Sequence, residues 1–455
     1  MTIRILLGEV REKLRELPDN SVHCAVTSPP YWGLRSYLPD GHPDKAKEIG
    51  CEPTLGEHLD VMVNEVFAEV WRVLRPDGTC WVNYGDCYAT SPNGRRADEV
   101  KRLKTDDRTF RDKPFSTVGP IYVPDYEKTS RVGTSGNGGN LAGAHGGRVV
   151  AGGTLKPKDL CMVPNRFAIA MQDFGWWVRS EVIWHKPNPM PESISDRPAT
   201  SHEKMFLFTK SERYFYDAVA VRTDAKGRGA YKMPDGWNTE PGAHGSFHPN
   251  GREKGAKTEK QRGHGRRHAG FNDLWDQMPV EEQMAGGANL RNVWTIATKP
   301  FKEAHFATFP PGLVRPCIMA GTSEKGCCPN CGAQWRRVTT KSFTPQPGVS
   351  IESAVRREDQ HDETCRWKGS QRGSVSHQTV AWEPSCSCSR QSPVPAIVLD
   401  PFGGAGTTGL VAAELNRSAV LIELNPDSVN IARNRIEPAL RQGSLLSGFN
   451  SLEVA

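Results

Sequence analysis

Two short stretches near opposite ends of the chain combine residue types that could do chemistry. The first is Ser28-Pro29-Pro30-Tyr31, directly behind the apolar run Val22 to Val26. Adjacent prolines fix the backbone and remove N–H donors, leaving a hydroxyl and a carbonyl as acceptors beside an aromatic ring. The second runs from Asp400-Pro401-Phe402 through Gly403-Gly404-Ala405-Gly406-Thr407-Thr408-Gly409, behind the apolar run Ile397 to Leu399. Its Gly404, Gly406 and Gly409 stand in GxGxxG spacing, which permits a tight turn and close approach of backbone to a ligand at a helix N-terminus. No lysine follows these glycines, which excludes a phosphate-binding P-loop. Glu423, 23 positions beyond Asp400, stands where an acid would hold ribose hydroxyls. Alone, the first motif is equally a strand-ending turn, and the second also occurs in dinucleotide enzymes and chance loops.

A third group is made of thiols. Cys328-Pro329-Asn330-Cys331-Gly332 is a CPxCG knuckle and Cys386-Ser387-Cys388 a CxC pair. Together they offer four thiolates, a closed tetrahedral set that suits structural zinc and leaves no open position for catalysis. Cys327 and Cys365 could replace one ligand.

Positioning the first two groups requires a sheet. Ile3 to Leu7 reads as a buried strand, followed by an amphipathic helix to about Leu17 and a second strand from Val22 to Val26. Leu59, Val63, Val66, Phe67, Val70, Trp71 and Leu74 share one face of a helix spanning Glu57 to Leu74. Pro76-Asp77-Gly78 ends it before a strand from Thr79 to Asn83. A helix around Arg166 to Asp173 follows, then strands at Glu181 to His185 and Lys204 to Thr209, with Tyr214-Phe215-Tyr216 placed to pair with the last. Pro310-Pro311 opens a helix through Ala320. Ile397 to Asp400, a helix carrying Leu410 to Leu415, and Ala419 to Ile422 form a closing βαβ unit. This alternation predicts an α/β fold with a parallel sheet and helices on both faces. Sheet ligands bind at the carboxyl ends of strands, so both motifs should open on one crevice.

No apolar stretch approaches the roughly 20 residues needed to cross a bilayer. The first twenty residues lack an uncharged apolar run, so the reading is no signal peptide, no membrane and a cytoplasmic location. Twelve cysteines there are thiols or metal ligands rather than disulfides. Residues 221–270 hold eleven Lys and Arg against five acids, an excess equal to the whole chain's +6. That segment, and the Gly-, Ser-, Arg- and Lys-rich 88–155, read as insertions suited to phosphate contact.

In its motifs the chain resembles the DNA amino-methyltransferases of the permuted "beta" arrangement, in which the catalytic motif precedes the cofactor motif. Asp400-Pro401-Phe402-Gly403-Gly404-Ala405-Gly406-Thr407 matches that family's DPF-x-G-x-G-T loop, and Glu423 its ribose acid. Leu7-Gly8-Glu9 stands where the family has Gly-Asp near the cofactor adenine, with Glu9 replacing Asp. His305 to Pro311 (HFATFPP) resembles the segment beside the methionine end, which brings in Phe309 and Pro310. Trp184 to Asn188 and the strand Glu203 to Phe208 also fit.

The resemblance implies a Rossmann-like S-adenosylmethionine-dependent methyltransferase sheet with helices on both faces, loop-rich insertions and a small zinc-binding module. Asp400, Phe402, Gly404, Gly406, Thr407, Glu423, Glu9, Phe309 and Pro310 would hold S-adenosylmethionine. Cys328, Cys331, Cys386 and Cys388 would hold zinc. Residues 1–220 would form the catalytic half, with an insertion at 88–155, and 221–290 a basic target-recognition insertion. Residues 291–326 would be the methionine-side segment, 327–392 the zinc module, 393–445 the cofactor half and 446–455 a tail. The implied partner is double-stranded DNA, with a cognate restriction nuclease in a restriction–modification pair; the oligomeric state stays open.

The implied reaction has a clear difficulty. An exocyclic base amine is a poor nucleophile because its lone pair is delocalised into the ring. Ser28 Oγ and the Pro29 carbonyl could accept its N–H bonds, Pro30 would stiffen the turn, and Tyr31 would stack a flipped base. Catalysis would then be mostly positioning. Ser at the first position points to cytosine-N4, whereas Asp or Asn points to adenine-N6. An RNA or protein methyltransferase is a competing reading, as is a non-catalytic zinc-dependent DNA-binding protein, although the intact motifs argue against decay. An NAD-dependent oxidoreductase would need a proton-relay constellation that is not evident beside the glycines.

Overall fold

The computed structural model describes residues 1–32, 37–38, 42–52, 54–89, 158–189, 191–192, 194–222, 289–298, 309–345, 373–388, 392–447 and 451–455. The chain divides into two compact units. The first comprises Met1–Ala220, Arg291–Arg336 and Glu383–Ala455, and the second Val221–Leu290 and Arg337–Trp382. The four paired cysteines therefore fall in the first unit, not in a module of their own.

The first unit is built on a nine-stranded sheet. In chain order its elements are β1 (Thr2–Leu7), α1 (Val10–Arg15), β2 (Val22–Thr27), α2 (Leu55–Asp60), α3 (Ala68–Val73), β3 (Leu74–Tyr84), α4 (Val163–Phe174), β4 (Trp177–His185), β5 (His202–Thr209), β6 (Val293–Thr295) and α5 (Pro311–Gly321). After β7 (Arg336–Pro345) and β8 (Gly373–Glu383), which pair as a separate two-stranded sheet, come β9 (Ile397–Asp400), α6 (Thr407–Glu414), β10 (Ser418–Glu423), α7 (Pro426–Ser447) and β11 (Ser451–Val454). The strand order is β11-β1-β10-β9-β2-β3-β5-β4-β6. Only β5 runs against the others, pairing antiparallel with β3 and β4.

That reversal makes the sheet mixed where the alternation of strands and helices predicts a parallel one. No helix lies among the described residues joining β4 to β5, and without a crossover helix consecutive neighbours pair antiparallel. Elsewhere the parallel rule holds. All six residues of β2 are buried, as a strand covered on both faces must be. Ala25 joins the core formed with α1, α3 and α4, whereas Cys24 Sγ lies 3.8 Å from the Cys317 carbonyl of α5. Neighbouring side chains thus point to opposite layers. Phe167 of α4 anchors the first layer, its ring 5.2 Å from both Phe67 and Tyr84.

Several local expectations change. The helix begins at Leu55, where Thr54 and Glu57 form a capping box, and a π-helical stretch, Val61–Phe67, joins α2 to α3. It ends one residue early because Leu74 is already extended. Pro76-Asp77-Gly78 does not separate helix from strand: Val22 pairs with Leu74 and Cys24 with Thr79, so these residues bulge out within β3. Tyr214-Phe215-Tyr216 does not pair with β5. The Phe215 N–H donates instead to the Asp77 carbonyl on that bulge, 2.9 Å away. The closing residues are not a tail, since Ser451–Val454 adds an edge strand beside β1. Among the described residues no helix is long and apolar enough to cross a membrane.

Candidate active site

Strands β9 and β2 are neighbours, with Cys24 opposite Val398 and Ala25 opposite Leu399. Their carboxyl ends, and with them the two motifs, therefore emerge side by side. Asp400 Oδ2 accepts from the Thr408 hydroxyl at 2.6 Å, and that hydroxyl also lies 3.3 Å from the Val26 carbonyl. Asp400 Oδ1 accepts from Phe402 N–H at 3.1 Å. One fully buried carboxyl thus braces its own loop against the strand that leads into Ser28.

The loop is folded back by the Gly403 N–H, which donates to the Ile422 carbonyl at 2.7 Å. Gly406 caps α6 with φ +75°, and a Cβ there would fall 2.7 Å from that of Ala432 on α7. Its lack of a side chain serves helix packing. Gly404 has φ +49° and donates its N–H to Glu423 Oε2 at 2.8 Å, while Glu423 Oε1 accepts from Asn425 N–H at 2.8 Å. Arg435 of α7 donates to the Ala405 carbonyl and to Thr407 Oγ1.

These elements surround a cavity of about 360 Å³. Ser28, Pro29, Pro30 and Tyr31 form one side of its lining. Phe402, Gly404, Thr407, Glu423, Glu9 and Phe309 also line it. Asp400, Gly406 and Pro310 do not: the first two act behind the wall, and Pro310 caps α5. Glu9 reaches the wall because Gly8 N–H donates to the Glu423 carbonyl at 2.9 Å. Its carboxylate caps α1 through Glu12 N–H and pairs with Arg11 at 2.7 Å. Residues 305–308 of the HFATFPP stretch lie outside the described residues.

Three further residues face the same space. Asn83, at the end of β3, has its Oδ1 3.5 Å from Ser28 Oγ and 3.3 Å from Tyr31 Oη, and its amide donates to the Lys204 carbonyl at 3.1 Å. Tyr31 Oη donates to Glu203 Oε2 at 2.9 Å, and Lys186 pairs with the other Glu203 oxygen. Asn83 has one sequence signal, its place at the carboxyl end of a strand beside β2. Lys186 and Glu203 lie in segments that matched the family without showing which side chain mattered. One face of Tyr31 is covered, because its ring stacks on Tyr84 at 5.4 Å and 17°.

The cavity suits a nucleoside-bearing cofactor. Phe402 and Phe309 give it apolar walls, and Glu423 offers a carboxylate acceptor against a folded glycine loop. The family and sequence comparisons agree. A model of the DNA methylase family for N6 and N4 amines matches residues 22–328 and 390–434. The chain belongs to this family. Type II methyltransferase M.XycI of Xanthomonas campestris pv. cyanopsidis is 33% identical over 430 residues, 94% of this chain and 86% of that protein. Type II methyltransferase M.Cfr9I of Citrobacter freundii is 32% identical over 431 residues, with the same coverage of 94% and 86%. The solved PvuII DNA methyltransferase, described as cytosine-N4-specific, aligns over 99% of this chain and 96% of its own, at 14% identity and a TM-score of 0.43. As a member of the DNA methylase family, the chain is an S-adenosylmethionine-dependent enzyme that methylates the amines of DNA bases.

The cysteines lie at the other end of the same strands. Cys328, Cys331, Cys386 and Cys388 place their Sγ atoms within 4.8 Å of one another. Cys327 is not among them, its Sγ lying 3.4 Å from the Val394 carbonyl, and Cys365 is outside the described residues. His23, near the start of β2, accepts Ile397 N–H on Nδ1 at 3.0 Å, so its Nε2–H donates to the Gly332 carbonyl of the knuckle at 2.9 Å. Burial and nearby Arg75 hold this imidazole down to about 4, keeping it neutral in that bridge.

Burial pushes Asp400 up to about 6 and Glu423 up to about 7, against the hydrogen bonds that favour their ionised forms. In the unfolded chain both ionise near pH ~4, so between about pH 4 and 7 the folded protein holds protons that the unfolded chain has released. Their contribution to stability is complete at the acid end and is lost as pH rises through 6 to 7. His23 works in the opposite sense over the lower part of that range. The expected outcome is that Glu423→Gln, free of cofactor, loses less denaturant stability than wild type between about pH 5 and about pH 8. Parallel pH profiles for the two proteins would refute the assignment.

Proposed function

We propose that this enzyme methylates the N4 amine of cytosine at a specific site in double-stranded DNA, as the modification partner of a restriction nuclease in a Type II system. The observation that carries the reading is the shared cavity, in which Ser28 to Tyr31 face the loop of Phe402 to Thr407 and the acid Glu423. The Type II relatives, matched over 94% of this chain, support the pairing with a nuclease.

When bound, S-adenosylmethionine supplies a methyl group activated by its sulfonium. Phe402 and Phe309 would enclose the cofactor, Glu423 would accept its ribose hydroxyls, and the backbone around Gly404 would let it approach closely. Ser28 Oγ and the Pro29 carbonyl would accept the two N–H bonds of the flipped base. That draws the nitrogen lone pair out of conjugation and toward the methyl carbon. An uncharged hydroxyl at position 28, rather than a carboxylate or amide, supports cytosine; adenine-N6 is the second reading.

Duplex DNA incubated with labelled cofactor and digested to nucleosides should yield N4-methylcytosine by mass. N6-methyladenine would select the second reading, and no product from a cofactor-binding protein would overturn both. Ser28→Ala should lower the single-turnover rate by at least about 10²-fold while leaving cofactor affinity near wild type. An unchanged rate removes Ser28 from the chemistry.

The four-thiol cluster is proposed as a structural zinc site. Zn–S bonds of about 2.3 Å in a tetrahedron separate sulfurs by about 3.8 Å, compatible with the spacing found here. Backbone N–H groups of Cys331 and Asn330 draw Cys328 down to about 7, while the neighbouring thiols Cys331 and Cys386 push Cys388 up to about 12. Binding all four as thiolates would need a cation to offset the crowding that otherwise keeps Cys388 protonated. Purified protein should carry about one zinc per chain, lost in Cys328→Ser/Cys331→Ser. Folded, active protein without metal would sink the assignment.

A further inference from the structure

Methylating a neutral amine leaves one proton too many. As nitrogen bonds to the methyl carbon, the C–S bond breaks with its electron pair staying on sulfur, and the nitrogen becomes positively charged. One of its two protons must then leave, with nitrogen keeping that electron pair. Ser28 Oγ is the side-chain acceptor for this N–H, yet a serine cannot keep the proton. Its own hydroxyl hydrogen has to move on.

We infer that Ser28, Tyr31 and Glu203 form a proton relay that carries this hydrogen out of the site. Ser28 Oγ is placed to donate to Tyr31 Oη at 3.4 Å, and Tyr31 Oη donates to Glu203 Oε2 at 2.9 Å. As the amine proton reaches Ser28 Oγ, the serine hydrogen passes to Tyr31 and the tyrosine hydrogen to Glu203. Both hydroxyls end neutral, the base carries a neutral secondary amine, and Glu203 holds the proton. This step rests on the amine-methylating reading above.

The surroundings favour that direction. Ser28, Asn83 and Glu203 are within hydrogen-bonding distance of Tyr31 Oη, and of these only the carboxylate is a base able to take the tyrosine hydrogen. Asn83 has the geometry of a guide: its NH₂ is fixed on the Lys204 carbonyl, which turns its Oδ1 toward both hydroxyls. The phenol cannot swing away. Its ring stacks on Tyr84, and a Cβ at Gly85 would fall 2.3 Å from Tyr31 Cε2. Lys186 holds the far oxygen of Glu203 while its ammonium lies 4.5 Å from the centre of the Trp184 ring. The carboxylate is thereby aimed by one partner on each oxygen. Tyr31 thus has a use for its hydroxyl beyond offering a ring to a base.

The test compares wild type, Tyr31→Phe, Glu203→Gln, Glu203→Ala and Glu203→Asp on duplex DNA. Glu203→Gln and Tyr31→Phe should each lose about 10²-fold in single-turnover rate. Affinities for S-adenosylmethionine and for DNA, measured by titration without turnover, should stay within about twofold of wild type, as expected when only a transition-state interaction is removed. Glu203→Asp should recover part of the rate, and added acetate should recover part of it in Glu203→Ala, which a merely structural carboxylate would not allow. Wild-type or near-wild-type rates in both Tyr31→Phe and Glu203→Gln, or rate loss that neither Asp nor acetate relieves, would overturn the relay. If wild type itself yields no methylated amine, the underlying reading has failed instead.

Discussion

The structure depends on one pairing, that of β9 beside β2 at the middle of the sheet. It joins segments nearly four hundred residues apart and puts two strand ends, each continuing into a motif, next to one another. The Asp400–Thr408 bond, with Thr408 also close to the Val26 carbonyl, keeps the ends in step. A buried carboxyl raised to about 6 is costly in isolation, and its three functions explain why it persists. It orders the Phe402 turn, holds Thr408 in the first turn of α6 and, through that hydroxyl, braces the strand before Ser28. A slip of one residue in this register would turn the loop's side chains to the wrong face.

The same two strands are fixed at their other ends. His23 accepts from the first residue of β9 and donates to the Gly332 carbonyl, while Arg75 donates to the Cys331 carbonyl at 2.7 Å. Knuckle and cavity thus occupy opposite poles of one strand pair. The four thiols lie away from the cavity, where the links through His23 and Arg75 help to hold the register of that pair. The division also suits the chemistry: the reacting pole needs exact placement of weakly interacting groups, and the far pole supplies rigid cross-links.

What the sequence made legible was whatever is encoded over short spans. The strand runs at 3–7, 22–26 and 397–400, the helix after Pro310, both motifs and the two cysteine pairs each carry their signal within a dozen residues. The rest was hidden for physical reasons. The edge strand Ser451–Val454 is short and half-solvated, with no alternation to announce it. The π-helical stretch at Val61–Phe67 preserves the apolar face that a regular helix would show, so periodicity could not reveal it. Asn83 and Glu203 meet Ser28 and Tyr31 only because β2, β3 and β5 are adjacent, a tertiary fact with no sequence spacing of its own.

The sheet direction also bears on how the long insertions are attached. At the end of β3, on the cavity pole, Tyr88 bridges to Leu160, Ala89 N–H donates to the Asp159 carbonyl at 2.8 Å, and Lys158 N–H returns to Ala89. This paired stem lies a few residues from Tyr84, the ring that carries Tyr31. The reversed strand β5 does the opposite. It delivers the chain to the far pole, where Phe215 and Asp217 are tied to Asp77 and Ala320, before the first unit is left at Ala220. A change in the stem at 88–89 and 158–160 would therefore bear on Tyr31 through Tyr84, whose ring stacks on it at 5.4 Å.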